Sequence, residues 1–160
     1  MTGHRVLIID DDPALLDSLS EALRLRMAGV TIETADSGAI ALEQVASQAF
    51  DAVVTDIKMP GIDGVDLLAQ VRAFRPDMPV LMITGYPEEG LAIQALRGGA
   101  YDIIRKPIDR DFFISTLNRA IVEHVERRSV RRWRAVLERC AGELSRIVES
   151  LLARPPRSEE

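Results

Sequence analysis

The stretch DAVVTDIKMPGIDG, residues 51–64, constrains this chain more than any other. An apolar run, Ala52-Val53-Val54, stops at Asp56, and the turn signal Met59-Pro60-Gly61 begins three residues later. A short β-prone run bounded by a carboxylate and a Pro-Gly pair reads as a buried parallel strand. Asp56 then stands at the strand's carboxyl end, where open α/β sheets place their ligand crevice.

The residues on either side repeat the theme. Arg5 to Ile9 is a β-branched run ending in Asp10-Asp11-Asp12-Pro13. Asp12 can cap the next helix with Pro13 in its first turn. Asp10 and Asp11 are left as adjacent like charges that need a positive partner. A helical stripe follows through Leu15, Leu16, Leu19, Leu23 and the 25–27 segment, ended by Gly29. Val30 to Ala35 reads as a second strand, and Ser37-Gly38 opens a helix expected to reach Ala49. After the focal strand, a helix is expected over Gly64 to Phe74, a strand over Pro79 to Thr84, and a helix over Pro87 to Arg97. A fifth strand over Tyr101 to Ile104 runs into Arg105-Lys106-Pro107, and Asp109 caps a fifth helix bearing Phe113, Leu117, Ala120 and Ile121 on one face.

Five strands alternating with five helices predict a doubly wound, flavodoxin-like α/β fold. Its parallel sheet is covered on both faces and joined by right-handed crossovers. The strand order 2-1-3-4-5 is the common solution at this size, with a switch point between the first and third strands. Four strand ends then share one edge, which gathers Asp10, Asp11, Asp56, Thr84 and Lys106. Three carboxylates make a hard-oxygen site suited to Mg²⁺. Such an ion would offset the acid pair's repulsion and neutralise a phosphoryl group in transfer. Lys106 offers a point charge and Thr84 a hydroxyl donor. Asp56 is placed as the nucleophile, since carboxylates form acyl-phosphates.

On IIDDD (8–12), DIKMPGIDG (56–64), ITG (83–85) and RKP (105–107), the chain resembles the receiver domain of two-component response regulators over roughly residues 4–125. The Gly after Thr84 and the segment GGAYDIIRKP look like the subgroup attached to nitrogen- and dicarboxylate-regulating ATPases. The resemblance implies that Asp56 accepts phosphate from a histidine kinase or phosphotransfer protein. It implies that Asp11, Asp56 and the backbone carbonyl of Lys58 hold the divalent metal, with Asp10 supporting through water. Thr84 and Lys106 would bind the phosphoryl group and signal its presence. One departure is Ile103, which occupies the position where the family often has a switching aromatic; Tyr101 stands two places too early.

Composition limits the alternatives. With 160 residues, 47% hydrophobic and 28% charged, the chain fits one domain and a short appendage. No run approaches 18 apolar residues, so no membrane-spanning helix is expected. The N-terminus lacks a signal-peptide layout, and the single Cys140 fits a reducing compartment, so a cytoplasmic location is expected. His4 and His124 are read as ordinary surface residues, and Cys140 as packed rather than reactive.

Past residue 125 the chain changes character. Val130, Trp133, Leu137, Cys140, Leu144, Ile147 and Leu151 step alternately by three and four, an a/d seam of just over three heptads. Residues 1–118 carry a net −8, whereas residues 119–157 carry +5, with Arg127, Arg128, Arg131, Arg132 and Arg134 in one dense run. The expected division is a receiver domain over 1–125, a helical extension over 126–154 and a disordered tail over 155–160. The extension is expected to form a homodimer through residues 126–152, against the alternative of a helix folded back on its own receiver. About 33 residues cannot hold a three-helix DNA-reading module, so specific DNA binding by this chain is not expected. Neither an ATPase glycine loop nor a kinase histidine box is present. The expected role is a regulatory phosphoacceptor rather than an enzyme, acting on an unknown downstream protein. The rival reading is the front part of a longer DNA-binding regulator.

Overall fold

The computed structural model describes residues 3–85 and 89–153. The expected disordered tail at 155–160, and Pro87 at the expected start of the fourth helix, lie outside the described residues. The elements are β1 (His4–Ile9), α1 (Pro13–Arg26), β2 (Val30–Ala35), α2 (Gly38–Ser47), β3 (Ala52–Asp56), α3 (Gly64–Phe74), β4 (Val80–Thr84), α4 (Glu89–Arg97), β5 (Asp102–Arg105) and α5 (Arg110–Leu152). The sheet is parallel throughout, in the order β2-β1-β3-β4-β5.

Period-two alternation splits the core into two layers. Val6, Ile8 and Val54 point to one face, where Leu16, Leu19 and Leu23 of α1 meet Phe113, Leu117 and Ile121 of α5. Leu7, Ile9 and Val53 point to the other, against Ala41 and Val45 of α2, Leu67 and Val71 of α3, and Ala95 of α4. The central strands β3 and β4 are buried along their whole length, as strands covered on both faces must be.

The helices start where short polar side chains can take up free N–H groups. Asp12 accepts from the Ala14 amide at 3.0 Å, Ser37 from Ile40 at 3.3 Å, and Asp63 from Asp66 at 2.8 Å. Several boundaries differ from the sequence expectation by one or two residues: β1 begins at His4 and β4 at Val80. α2 stops at Ser47 because Gln48 takes an extended conformation, and β5 lies one residue later, over Asp102–Arg105. Leu25, counted in the apolar stripe of the first helix, faces outward.

The chain divides into two compact units, Met1–His124 and Val125–Glu160. The first contains the whole sheet. In the second, the described residues 125–152 are helical and all exposed.

Candidate functional site

Register brings the polar strand ends to one edge. Ile9 pairs with Thr55, Asp56 with Ile83, and Thr84 with Arg105. Asp10 is therefore the first residue past β1, Asp56 the last of β3, Thr84 the last of β4, and Lys106 the first past β5. Asp56, Lys58, Thr84, Gly85 and Lys106 line a pocket of about 350 Å³ at that edge.

Three carboxylates converge here. One ligand oxygen from each of Asp10, Asp11 and Asp56 lies within 4.8 Å of the others. Asp10 and Asp56 are buried, while Asp11 is exposed. Asp10 Oδ1 accepts the Asp12 amide at 2.8 Å. Its Oδ2 is buried without a hydrogen-bond partner, which costs free energy unless a cation supplies the missing interaction. Lys106 Nζ does so only in part. It donates to Asp56 Oδ2 at 3.2 Å and stands 3.7 Å from Asp10 Oδ2.

The titration directions agree with this crowding. Burial pushes the Asp10 carboxyl above its ordinary pKa, and the charges of Asp56 and Asp11 push the same way. The Asp12 amide and the Lys106 ammonium offset part of it. At Lys106 burial works against the ammonium, but attraction and a hydrogen bond from Asp56, helped by Asp10 and Asp11, raise its pKa overall. An orphaned buried oxygen among three hard-oxygen donors, with one ammonium beside them, fits a divalent cation such as Mg²⁺.

The loop after Asp56 depends on two glycines: Gly61, part of the expected turn signal, and Gly64, expected only as the first residue of the third helix. Gly61 has φ +75°, a conformation L side chains rarely adopt. Gly64 packs its backbone on β3, with its N–H donating to Ile57 O at 2.8 Å. A Cβ at Gly64 would stand 2.3 Å from Asp56 O and 2.8 Å from Ile57 Cα. Gly64 thus lets the α3 N-terminus close against the end of β3. The Asp63-Gly64 pair behind Pro60-Gly61 was the available signal.

Elsewhere the structure corrects one reading. His124 is not a surface residue: it is buried on α5, and its Nδ1 lies 3.0 Å from Asp77 O. Cys140, expected to be packed, is exposed in the single chain. Tyr101 packs against the layer that holds α5, and its hydroxyl accepts from Arg119 Nε at 3.1 Å. Ile103 packs on the opposite layer. His4, half exposed, stands 3.5 Å from Asp51.

A five-stranded, doubly wound parallel sheet with an acidic, lysine-bearing pocket at its carboxyl edge defines a flavodoxin-like domain. Residues 6–118 match the response regulator receiver domain, and the chain belongs to that family. It is 43% identical over 120 residues to the C4-dicarboxylate transport transcriptional regulatory protein DctD of Pseudomonas aeruginosa, covering 73% of this chain and 25% of that protein. Identity to the DNA-binding transcriptional regulator NtrC of Escherichia coli is 36% over 126 residues, covering 79% of this chain and 26% of that protein. The chain therefore spans about a quarter of the length of these relatives, which are of the nitrogen and dicarboxylate type. Among solved structures, a CheY-like receiver domain protein from Methanospirillum hungatei superposes with a TM-score of 0.74 at 30% identity, covering 78% of this chain and 98% of that one. NtrX from Brucella abortus gives 0.73 at 32% identity, covering 80% of this chain and 29% of that one.

Proposed function

We propose that this chain is a phosphoacceptor response regulator in which Asp56 takes a phosphoryl group from the histidine of a kinase or phosphotransfer protein. The observation that carries the reading is the Asp56 carboxylate at the pocket floor, with Lys106 Nζ at 3.2 Å and the Asp10 and Asp11 oxygens within 4.8 Å. One Asp56 oxygen attacks phosphorus as the phosphorus–nitrogen bond to the donor imidazole breaks. The imidazole nitrogen leaves with the bonding pair and takes up a proton. Asp10, Asp11, Asp56 and the Lys58 carbonyl are the groups that would hold Mg²⁺. When bound, the ion supplies charge neutralisation for the phosphoryl oxygens. Lys106 pairs with the acceptor carboxylate before transfer and with a phosphoryl oxygen after it. The Thr84 hydroxyl, at the end of β4, donates to another. No step turns over a diffusing substrate, so the role is regulatory, with slow self-dephosphorylation.

The output passes to other proteins through the helix of residues 126–152, which brings copies of the chain together. A second reading has a specific observation behind it. The chain spans about a quarter of relatives named as transcriptional regulators, so it also suits the N-terminal regulatory part of a DNA-binding protein. Among the described residues no helix is long and apolar enough to cross a membrane, and we place the chain's work in the cytoplasm.

A small phosphodonor with Mg²⁺ should label Asp56 as an acid-stable, base-labile acyl-phosphate. An Asp56→Asn protein labelled as well as wild type would end the reading.

A further inference from the structure

We propose that the helix beyond Val125 gathers four copies of this chain into an antiparallel four-helix bundle. The inference deepens the self-association part of the reading above and does not depend on phosphotransfer.

The seam identities come first. Val130, Leu137, Leu144 and Leu151 occupy heptad position a, and Trp133, Cys140 and Ile147 occupy d. The Leu-at-a, Ile-at-d pattern that favours higher-order assemblies is met over Leu144, Ile147 and Leu151. The flanks decide between one neighbour and more. Val136 precedes one a residue at a g position, while Ala141 and Val148 follow d residues at e positions. All three are exposed, Val136 at 38% and Val148 at 52%. At 3.6 residues per turn these flanks widen the apolar stripe to about 160°. A strict a/d seam needs one partner helix, whereas apolar e and g positions mark a helix with neighbours on two sides. In a two-stranded coil Val136 and Val148 would stay in water.

The area is sufficient. Ten exposed apolar side chains from Val130 to Leu151 offer on the order of 1,000 Å² per helix, comparable with one partner's share of a standard interface.

Charge sets the direction. Residues 126–134 hold five Arg and one Glu, a net +4, while residues 138–149 hold two Arg and three Glu, a net −1. Four parallel helices would crowd about +16 into roughly 14 Å of bundle axis. Antiparallel neighbours relieve this by dividing the four basic segments two and two between the ends of the bundle. A register centred on Gly142 also places Trp133 against Leu151, Leu137 against Ile147 and Cys140 against Leu144, so Trp133 meets a smaller residue rather than itself.

The test uses the full chain at tens of micromolar without phosphodonor, with mass read by sedimentation equilibrium. Wild type should weigh four chains. Val136→Gln with Val148→Gln, which keeps good helix formers and leaves the seam intact, should halve that mass. Oxidation with copper phenanthroline should leave Cys140 without disulfide-linked pairs, because antiparallel neighbours hold the two Cα atoms beyond bridging distance. A wild-type mass of two chains, a flank variant that still weighs four, or rapid Cys140 cross-linking overturns the bundle. A monomeric wild type would remove self-association as well, leaving the Asp56 chemistry to its own labelling assay.

Discussion

The two halves of α5 are one continuous helix in opposite circumstances. Between Arg110 and His124, Phe113, Thr116, Leu117, Ala120, Ile121 and His124 are buried. From Val125 to Leu152 every residue is exposed, although Trp133, Leu137, Leu144 and Ile147 are as apolar as anything in the first half. Helical patterning fixes which side chains share a face. It does not fix what covers that face. The first half has a parallel sheet to supply its cover, with Val6, Ile8 and Ile83 opposite; the second half must find cover outside its own helix.

The sharpest way to break this comparison is to charge the outer seam. Leu137→Glu together with Leu144→Glu should abolish assembly and yield monomers, while Asp56 labels at the wild-type rate. Loss of labelling in that variant would show that the outer helix is part of the receiver's own stability, and the division would fall. On the inner half the converse holds. Phe113→Ala should cost the receiver about 3–5 kcal/mol in urea unfolding, because it empties a fully buried site. Leu144→Ala, read on the same receiver transition, should cost less than about 0.5 kcal/mol. Similar losses from the two substitutions would mean that both halves share one core.

Much of this was legible in the sequence because the relevant signals are local. The β3 run ending on Asp56 and the caps Asp12, Ser37 and Asp109 each report a backbone event within a few residues. The convergence of Asp10, Asp56 and Lys106 follows once all strands run parallel, since parallel strands bring their carboxyl ends to one edge. His124 was misread because burial at long range leaves no local mark. A histidine among Arg and Glu on a helix looks solvated, and only the fold brings Asp77 beside it. The packing role of Gly64 escaped notice for a related reason: its need for no side chain arises from Asp56 O, eight residues back in sequence and 2.3 Å from where a Cβ would sit.

Gly64 sharpens the comparison on the side of the site. Gly64→Ala must displace the β3 carboxyl end or the α3 N-terminus, since backbone rather than a flexible side chain stands in the way. Stability should fall by about 1–3 kcal/mol, as for other overpacked positions, and Asp56 labelling should slow with it. The mass of the assembly should not change. Unaltered labelling would show that the loop can yield without disturbing the acceptor carboxylate.

A smaller effect than at Phe113 or Gly64 is expected where the two regions meet. His124 is the last buried residue of α5, and the Asp77 carbonyl can only accept, so His124 Nδ1 carries the hydrogen between them. That bond ties the inner end of α5 to the turn preceding β4, at the sheet edge opposite the pocket. His124→Ala should therefore cost about 1–2 kcal/mol of receiver stability, the usual range for losing one partner of a buried hydrogen bond. Assembly should be untouched, because His124 precedes the seam and faces the receiver's interior. Denaturant midpoint and sedimentation mass, measured on one preparation, separate the possibilities. An unchanged midpoint with an altered mass would assign His124 to the outer region and move the boundary between cover by sheet and cover by other copies at least one helical turn towards Phe113.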